Sequence, residues 1–313
     1  MTDPTTDWTT VTLANAPVSY GAFELTVGID DSTPDGLHVL DEVTAAGYAG
    51  IDLGPVGYLG EGSELADRLA ERGLGLAGGY LELPYSRPEA LESVLPALDA
   101  LLDTFDAVAG RLPGPPPHPT IADAGSPQRR ARPGRAHADP SVGLDADGWR
   151  RFGAGLGRVL ERCRDRGYEP TFHNETGTYV EAPWEVERVL EVSDAQLCLD
   201  TGHLLLGGGD PVAALEQWSG RINQVHIKDA HRSVMAAIVA AEDPVEAVWR
   251  REAFPRIGAG DLDVEGFLAA LKRSGFAGWA VVEQDTLPTT PERFAQAAID
   301  QRANRDHLRR LGL

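Results

Sequence analysis

The chain has 313 residues, 42% of them hydrophobic, which suffices for one large α/β domain or two small ones. Its 48 acidic and 28 basic residues give a net charge of −20, which argues against binding to a nucleic acid backbone. No apolar run approaches the roughly 18 residues of a membrane-spanning helix, and the N-terminus lacks the pattern of a secretory signal. Two cysteines make no disulfide framework, so we expect a cytoplasmic protein without membrane contact.

The first half of the chain alternates short apolar runs with helical patterns. Residues 1–12 predict a disordered tail, and residues 13–313 predict one domain. The segment 16–25 predicts the first strand with its loop. Further strands are predicted within 50–60, 74–84 and 120–125, and helices at 37–50, 63–73 and 88–110. The Pro/Arg/Gly-rich segment 126–146 then predicts a long loop, which is either a solvated insertion or a lid whose arginines meet an anionic group on a substrate or partner subunit.

The second half repeats this alternation more regularly. Four apolar runs end near residues 175, 200, 226 and 283, and helical patterns separate them, with a long helical insertion at 232–256. Counting both halves, eight strands alternate with helices. This pattern predicts a single-domain α/β fold, the (β/α)8 TIM barrel, with a long loop after strand four and a helical insertion after strand seven.

Side chains that can bind a metal end the last four predicted strands: Glu175, Asp200, His226 and Glu283. The first two intervals between them each equal one β/α unit, and the third equals one unit plus the insertion, so all four can lie at one height on the rim. Active sites of such barrels lie at the carboxyl ends of the strands. Three carboxylates and one imidazole suit Mn²⁺, with Co²⁺ or Mg²⁺ as alternatives. Asp52 and Tyr58, after strand two, either touch a substrate or have a structural role.

Several segments resemble the xylose-isomerase-like barrel superfamily, the sugar phosphate isomerase/epimerase group, and within it inosose dehydratases. They are NAPVSYGAFE, GTYVEAPWEVERVL, LCLDTGHLLLGGGDP, RINQVHIKDAHRS, and FPRIGAGDLD followed by GFAGWAVVEQD. The resemblance implies that Glu175, Asp200, His226 and Glu283 bind the metal, that His203 meets substrate hydroxyls, and that His173 and Lys228 are further substrate contacts. Where inosose dehydratases tend to carry a His-rich run, this chain has His173-Asn174-Glu175, with a glutamate as in the epimerase and isomerase branches.

The resemblance implies an enzyme that removes a proton beside the carbonyl of a keto-sugar or keto-inositol. Glu175 or Glu283 is then the base, and His203 or Lys228 helps a hydroxyl to leave. Loss of that hydroxyl gives a lyase of the inosose dehydratase type, and return of the proton gives a sugar isomerase or 3-epimerase. Both alternatives stay open, as do a dimer or tetramer and a barrel without chemistry.

A remote alternative is a nuclease of the AP-endonuclease type, which shares this barrel. Asp229 and His231 could mimic a further metal pair of such enzymes. However, the predicted ends of strands two and three hold no histidine, and the acidic charge opposes DNA binding.

Overall fold

The computed structural model of the protein describes residues 8–288 and 290–313. Within them, nine parallel strands form one sheet, and they are listed here in chain order. They are β1 (Val11–Asn15), β2 (Gly50–Ile51), β3 (Gly75–Leu76), β4 (Gly78–Leu83), β5 (His118–Asp123), β6 (Thr171–His173), β7 (Gln196–Asp200), β8 (Ile222–Ile227) and β9 (Gly278–Val282). Their spatial order is β3-β2-β1-β9-β8-β7-β6-β5-β4, so the two outermost strands of the sheet are consecutive in the chain.

The sheet closes through Ala77, the residue between β3 and β4. Its N–H donates to the carbonyl of Ile51 in β2, and its carbonyl accepts from the N–H of His118 in β5. β3 and β4 therefore act as one bent strand that bonds to both neighbours, and the predicted eight-stranded barrel is confirmed. A closed parallel barrel of this kind is the TIM architecture.

Twelve helices of α type accompany these strands in the described part of the chain. Those that follow successive strands on the outside are α1 (Gly36–Ala46), α2 (Gly62–Glu71), α3 (Pro88–Val108), α5 (Ala146–Asp165), α6 (Pro183–Val192), α8 (Pro211–Trp218), α11 (Val264–Ser274) and α12 (Pro291–Arg310). Shorter ones lie on the loops at the carboxyl side: α4 (Pro127–Ala131), α7 (Thr201–Leu206), α9 (Arg232–Ala241) and α10 (Ala247–Arg250). None of the helices in residues 8–288 and 290–313 is long and apolar enough to traverse a membrane.

The beginning of the fold differs from the sequence prediction. Of the predicted tail, residues 1–7 lie outside the described residues, whereas Trp8–Thr10 form a 3-10 helix and β1 starts at Val11. The predicted first strand at 16–25 is instead a 3-10 helix, Pro17–Tyr20, followed by turns. The physical reason is long-range pairing, because β1 bonds along its whole length to β9, from Val11 opposite Gly278 onward.

Trp279 fills the amino-terminal end of the barrel. It is fully buried, packs with Ala14 and Ala77, and donates its indole N–H to the carbonyl of Pro115 at 3.1 Å. A Cβ at Gly50 would lie 2.6 Å from its ring, and one at Gly75 would lie 2.7 Å away, so only glycine fits at these strand starts. The barrel is thus a packed core that opens only at the carboxyl ends of the strands.

Two long segments lie together over that open end. The predicted 126–146 loop contains α4, and the predicted 232–256 insertion contains α9 and α10. The N–H of Val245 donates to the carbonyl of Arg130 at 2.8 Å, and Arg135 donates to the carbonyl of Val239 at 3.0 Å. Arg129, buried in α4, forms ion pairs with Glu185 at 2.8 Å and Glu181 at 3.1 Å. The Arg-rich loop is therefore fixed to the barrel through its own arginines.

Candidate metal centre and substrate cavity

The alternation of side chains along a strand brings the polar residues of the rim to the inside. Residues two apart in sequence lie on the same face of a strand. In each of the last four strands and its extension, one such pair of residues faces the inside of the barrel. These inward residues are His173 and Glu175, Cys198 and Asp200, His226 and Lys228, and Glu283 and Asp285. β6, β8 and β9 with their extensions thus supply one residue each to a deeper layer and one to an outer layer, whereas both Cys198 and Asp200 of β7 lie beside the deeper layer.

The deeper layer contains four residues that we call the strand-end ring: His173, Asp200, His226 and Glu283. His173 Nε2 lies 3.4 Å from Asp200 Oδ2, which lies 3.7 Å from His226 Nδ1. His226 Nδ1 in turn lies 3.1 Å from Glu283 Oε2. Donor atoms bound to one ion at about 2.0–2.2 Å lie roughly 3–3.5 Å from one another, and neighbouring donors of the ring come close to this separation, so each neighbouring pair could share a cation.

The hydrogen-bonding state of the ring also fits a metal. Both ring nitrogens of His226 are buried and form no hydrogen bond among the residues that the structure describes, whereas Asp200 Oδ2 is met by the Lys228 ammonium at 3.1 Å. Such orphaned buried atoms are costly unless something pairs with them. Asp52, His226 and Glu283 also form a compact group in which one ligand atom of each lies within 4.8 Å of the others. Two imidazoles and two or three carboxylates could hold a divalent transition metal.

Glu175, a predicted metal ligand, is not brought into this ring. The imidazole of His173 separates it from Asp200, because Nε2 faces Asp200 while Nδ1 lies 3.5 Å from Glu175 Oε2. Glu175 instead accepts a hydrogen bond from the hydroxyl of Tyr80 at 3.3 Å and lies 3.2 Å from His203 Nε2. Burial raises the pKa of Glu175 to about 7. It belongs to the outer layer, one step nearer the cavity.

His203 is oriented by the loop that follows β6. The backbone N–H of Thr176 donates to His203 Nδ1 at 3.3 Å, and the Thr176 hydroxyl lies 2.9 Å from the same nitrogen. A backbone N–H can only donate, so the proton of His203 resides on Nε2. That nitrogen lies 3.2 Å from Glu175 and 3.4 Å from Asp285. The predicted substrate-contact residue His203 therefore stands between two carboxylates in the cavity.

Lys228 is buried in the middle of the carboxylates. Its Nζ lies 3.1 Å from Asp200, 2.9 Å from Glu283 and 2.8 Å from Asp285. Burial alone would lower the pKa of Lys228, but the surrounding carboxylates, Asp200 first, raise it well above its ordinary value. The ammonium therefore stays charged, and it compensates acidic groups that would otherwise repel one another.

Burial and neighbouring charges also set the ionisation of the ring. Burial lowers the pKa of His173 to about 4, so its imidazole is neutral near pH 7 and free to act as a ligand. Burial would raise the pKa of Asp200, but Lys228 and His203 hold it well below its usual range. Burial raises the pKa of Asp52 to about 6.

A cavity of about 430 Å³ lies above the ring. Of the predicted substrate contacts, His173, His203, Lys228 and Asp52 line it. Tyr58 does not, because its hydroxyl donates to the carbonyl of Pro34 at 2.6 Å and packs the loop after β2 onto the start of α1. Its role is therefore structural.

Several cavity residues escaped the sequence analysis. Asp285 lies two residues beyond Glu283, and the period of two could have identified it. Tyr80 and Arg130 form one side of the wall, with Arg130 Nη1 at 3.2 Å from Glu82 Oε2. Glu82 itself, after the predicted third strand, is a residue for which the sequence left open a substrate contact or a structural role. Only the packing of the long loop brings Arg130 to this place. The Cys198 sulfur lies within 4.8 Å of ligand atoms of His173 and His226, and burial raises the pKa of Cys198 to about 11.

Asp229, considered for a nuclease-type metal pair, has a different role. Its carboxylate accepts the backbone N–H groups of Gly258, Gly260 and Leu262 at 2.8–2.9 Å. These bonds fix the Gly/Asp-rich turn before α11, and they use the oxygens that a metal would need.

Comparison with known proteins places the chain in a family. A family model described as xylose isomerase-like TIM barrel matches residues 40–309. An inosose dehydratase of Geobacillus kaustophilus (strain HTA426) is 26% identical over 288 residues, 91% of this chain and 90% of the relative. The rhizopine catabolism protein MocC of Rhizobium meliloti is 31% identical over 272 residues, 83% of this chain and 78% of the relative.

The fold has close counterparts among solved structures. The crystal structure of the IolI protein, which contains a bound zinc atom, superposes with a TM-score of 0.67 at 15% identity, covering 94% of this chain and 97% of that one. At this identity the likeness supports the barrel fold. Together with the match to the family model, it leads to one conclusion: the chain belongs to the xylose isomerase-like TIM barrel family.

Proposed function

We propose that the protein is a divalent-metal-dependent enzyme that abstracts a proton beside the carbonyl of a keto-inositol or keto-sugar, and that it is a dehydratase of the inosose dehydratase type. The observation that carries this proposal is the strand-end ring at the floor of a cavity. The similarity to an inosose dehydratase and to a rhizopine catabolism protein supports the choice of a carbocyclic or sugar-like substrate.

The geometry revises the predicted ligand set. We infer that His173, Asp200, His226 and Glu283 hold the ion, with His173 in the place predicted for Glu175, and that Asp52 lies close enough to join them. Mn²⁺ remains the first expectation, but two imidazoles in the ring make Co²⁺ and Zn²⁺ suitable as well. When bound, the ion stabilises negative charge that develops on the carbonyl oxygen.

Glu175 is then available as the base. It lines the cavity, and His203 Nε2–H and the Tyr80 hydroxyl orient its two oxygens. The bond from carbon to hydrogen breaks, the proton goes to Glu175, and the electron pair forms a double bond towards the carbonyl. In a dehydration the neighbouring C–O bond then breaks, and Glu175 passes its proton to the departing hydroxyl, so that water forms and the carboxylate is restored.

An isomerase or epimerase is the second candidate, and one observation favours it. Asp285 lies 3.4 Å from His203 Nε2, and Glu175 lies 3.2 Å from the same nitrogen. Two carboxylates at one imidazole can serve two positions on a substrate ring, so a proton taken by one can be returned by the other without loss of a hydroxyl.

The experiment combines metal removal with product mass. Protein dialysed against a chelator is assayed on keto-inositols and ketohexoses with Mn²⁺, Co²⁺, Mg²⁺ or Zn²⁺ added. We expect activity only with added metal, with loss of water in a dehydration and no change of mass in an isomerisation. Glu283→Gln should reduce activity by at least about 100-fold, since removing groups that stabilise the transition-state charge has effects of that size.

The matched control is Glu265→Gln, an exposed glutamate on α11 outside the cavity, which should retain full activity. Deuterium from solvent should enter recovered substrate or product at the carbon beside the carbonyl. Activity that survives both chelation and Glu283→Gln would refute the proposal.

A further inference from the structure

The cavity has two chemically different halves. Its floor consists of His173, His226 and Glu283 with the outer carboxylates. Beside Glu24, Arg130 and Glu246, its mouth is lined by apolar side chains from three loops. They are Val18, Phe23 and Leu25 after β1, Pro55 after β2, and Trp249 in the insertion after β8. Loop residues lie farther out than strand ends. The inner end of a ligand that fills the cavity would therefore contact polar groups, and its outer end would contact apolar groups.

The apolar mouth is only partly absorbed by the hydrophobic core. Phe23 is buried and Trp249 packs against the core, whereas Leu25 lines the cavity and is 48% exposed. The exposed surface of Leu25 does little for folding, because it remains in water. Contiguous apolar surface at a cleft is typical of a ligand-binding site.

This wall is also held in place before any ligand arrives. The ring centroids of Phe23 and Trp249 lie 6.3 Å apart, so two different loops support each other. The buried hydroxyl of Thr26 accepts the N–H of Phe23 at 3.1 Å and donates to the carbonyl of Gly21 at 2.5 Å, which fixes the turn that carries Phe23. A preformed apolar surface lowers the entropic cost of binding an apolar group.

The volume of the cavity also indicates a ligand with a second, apolar part. A cavity of about 430 Å³ falls within the range of roughly 300–1,000 Å³ that holds drug-sized ligands. A six-carbon ring ketone is much smaller than such ligands, and the polar floor already provides its partners. The apolar half is therefore left for a second part of the same molecule.

We propose that the substrate is a cyclic keto-polyol that carries an apolar substituent, of the kind found in a keto-glycoside with an aromatic aglycone. The keto-polyol ring lies on the floor, and the substituent packs against Phe23, Leu25 and Trp249. The inference rests on the function proposed above, because it assigns the ketone to the strand-end ring. It goes beyond that function by giving the substrate a second recognition element.

The test compares two ligands that differ only in the substituent. The metal-loaded protein is titrated with a phenyl and a methyl 3-keto-glucoside by calorimetry, and kcat/KM is measured for both compounds and for an unsubstituted keto-inositol. We expect the phenyl compound to bind about ten-fold more tightly, because it removes apolar surface from water on both sides of the contact. Trp249→Ala and Leu25→Ala should each reduce this preference by roughly three-fold or more while changing the affinity for the methyl compound little.

Leu25→Ala guards against misfolding, since the side chain is half exposed, and Ile299→Ala on α12, 54% exposed, is the matched control that should keep the full preference. Equal affinity for the two glucosides, or a preference that both mouth variants leave unchanged, would overturn the inference while turnover of keto-inositol still supports the proposed function. Loss of a dimer in Leu25→Ala without any phenyl preference would show that a second copy covers the mouth, and this also overturns it. If the loaded enzyme turns over no ketone at all, the proposed function fails, and the inference fails with it.

Discussion

Replacing Lys228 by methionine tests the electrostatics of the site most directly. The chain has two lysines, and this one lies within 3.1 Å of three carboxylates. Methionine keeps the length of the side chain but removes its charge. Breaking a buried ion pair by removing one partner costs about 3–5 kcal/mol, because the other charge is left uncompensated. We therefore expect the metal-free variant to lose about 3–5 kcal/mol of unfolding free energy.

A divalent ion should reverse this loss. Lys228 Nζ contacts Asp200 Oδ2 and Glu283 Oε2, the same two oxygens that belong to the strand-end ring. The ammonium and the ion therefore compete for these donors, and removing the ammonium should strengthen metal binding by about ten-fold or more, equivalent to about 1.4 kcal/mol. Urea unfolding with chelator and with excess Mn²⁺ measures stability, and calorimetric titration measures affinity.

The other lysine provides the control. Lys272 in α11 lies 5.7 Å from the ring of Trp8, and its replacement by methionine should cost no more than about 1 kcal/mol, with no change in metal affinity. The reasoning is refuted if Lys228→Met is as stable as the parent protein in chelator. It is equally refuted if the variant binds metal more weakly, since Lys228 would then support the ring rather than compete for it.

Two further predictions concern buried charges around the cavity. Arg129→Met leaves Glu181 and Glu185 without their cation, so we expect a loss of about 3–5 kcal/mol in urea unfolding; an unchanged midpoint would contradict the anchoring role of the long loop. Burial raises the pKa of Asp123 from 3.8 to about 6, so the folded state binds the extra proton and stability should fall by about 3 kcal/mol between pH 4 and pH 6. Asp123→Asn still accepts the N–H groups of Gly125 and Tyr179 and should abolish that part of the slope, measured by urea unfolding at each pH; an unaltered slope would assign it to other groups.

The regular half of the barrel was predictable because its signals are local. Short apolar runs, helical periods and Gly stops identify every unit from α5 to β9. The first strand was missed for a physical reason: β1 is five residues long, begins in a polar region, and is fixed by its partner β9 at the far end of the chain. The break at Ala77 is likewise a consequence of barrel closure, which no local pattern encodes.

The candidate site was predictable to within one step along a strand. Strand ends correctly indicated that Asp200, His226 and Glu283 converge, and the structure brings them together. His173 and Glu175 share one face of the same strand, so periodicity cannot say which of them lies at the height of Asp200. The structure places His173 there, with its Nε2 3.4 Å from Asp200 Oδ2. The contribution of Arg130 depends on the path of the 126–146 loop and had no signal beyond the composition of that loop.

The two layers of the site divide the chemistry between them. The ion proposed for the deeper ring would serve a dehydration and an isomerisation alike, so it does not by itself select a reaction. Selection falls to the outer layer, where Lys228 holds Asp285 at 2.8 Å while the nearest groups to Glu175 are two imidazoles and a phenol. Burial raises the pKa of Glu175 to about 7, which makes its carboxylate a stronger base than an ordinary glutamate. Proton abstraction should therefore begin at Glu175, and the position of the substrate hydroxyl relative to Asp285 then decides between elimination and proton return.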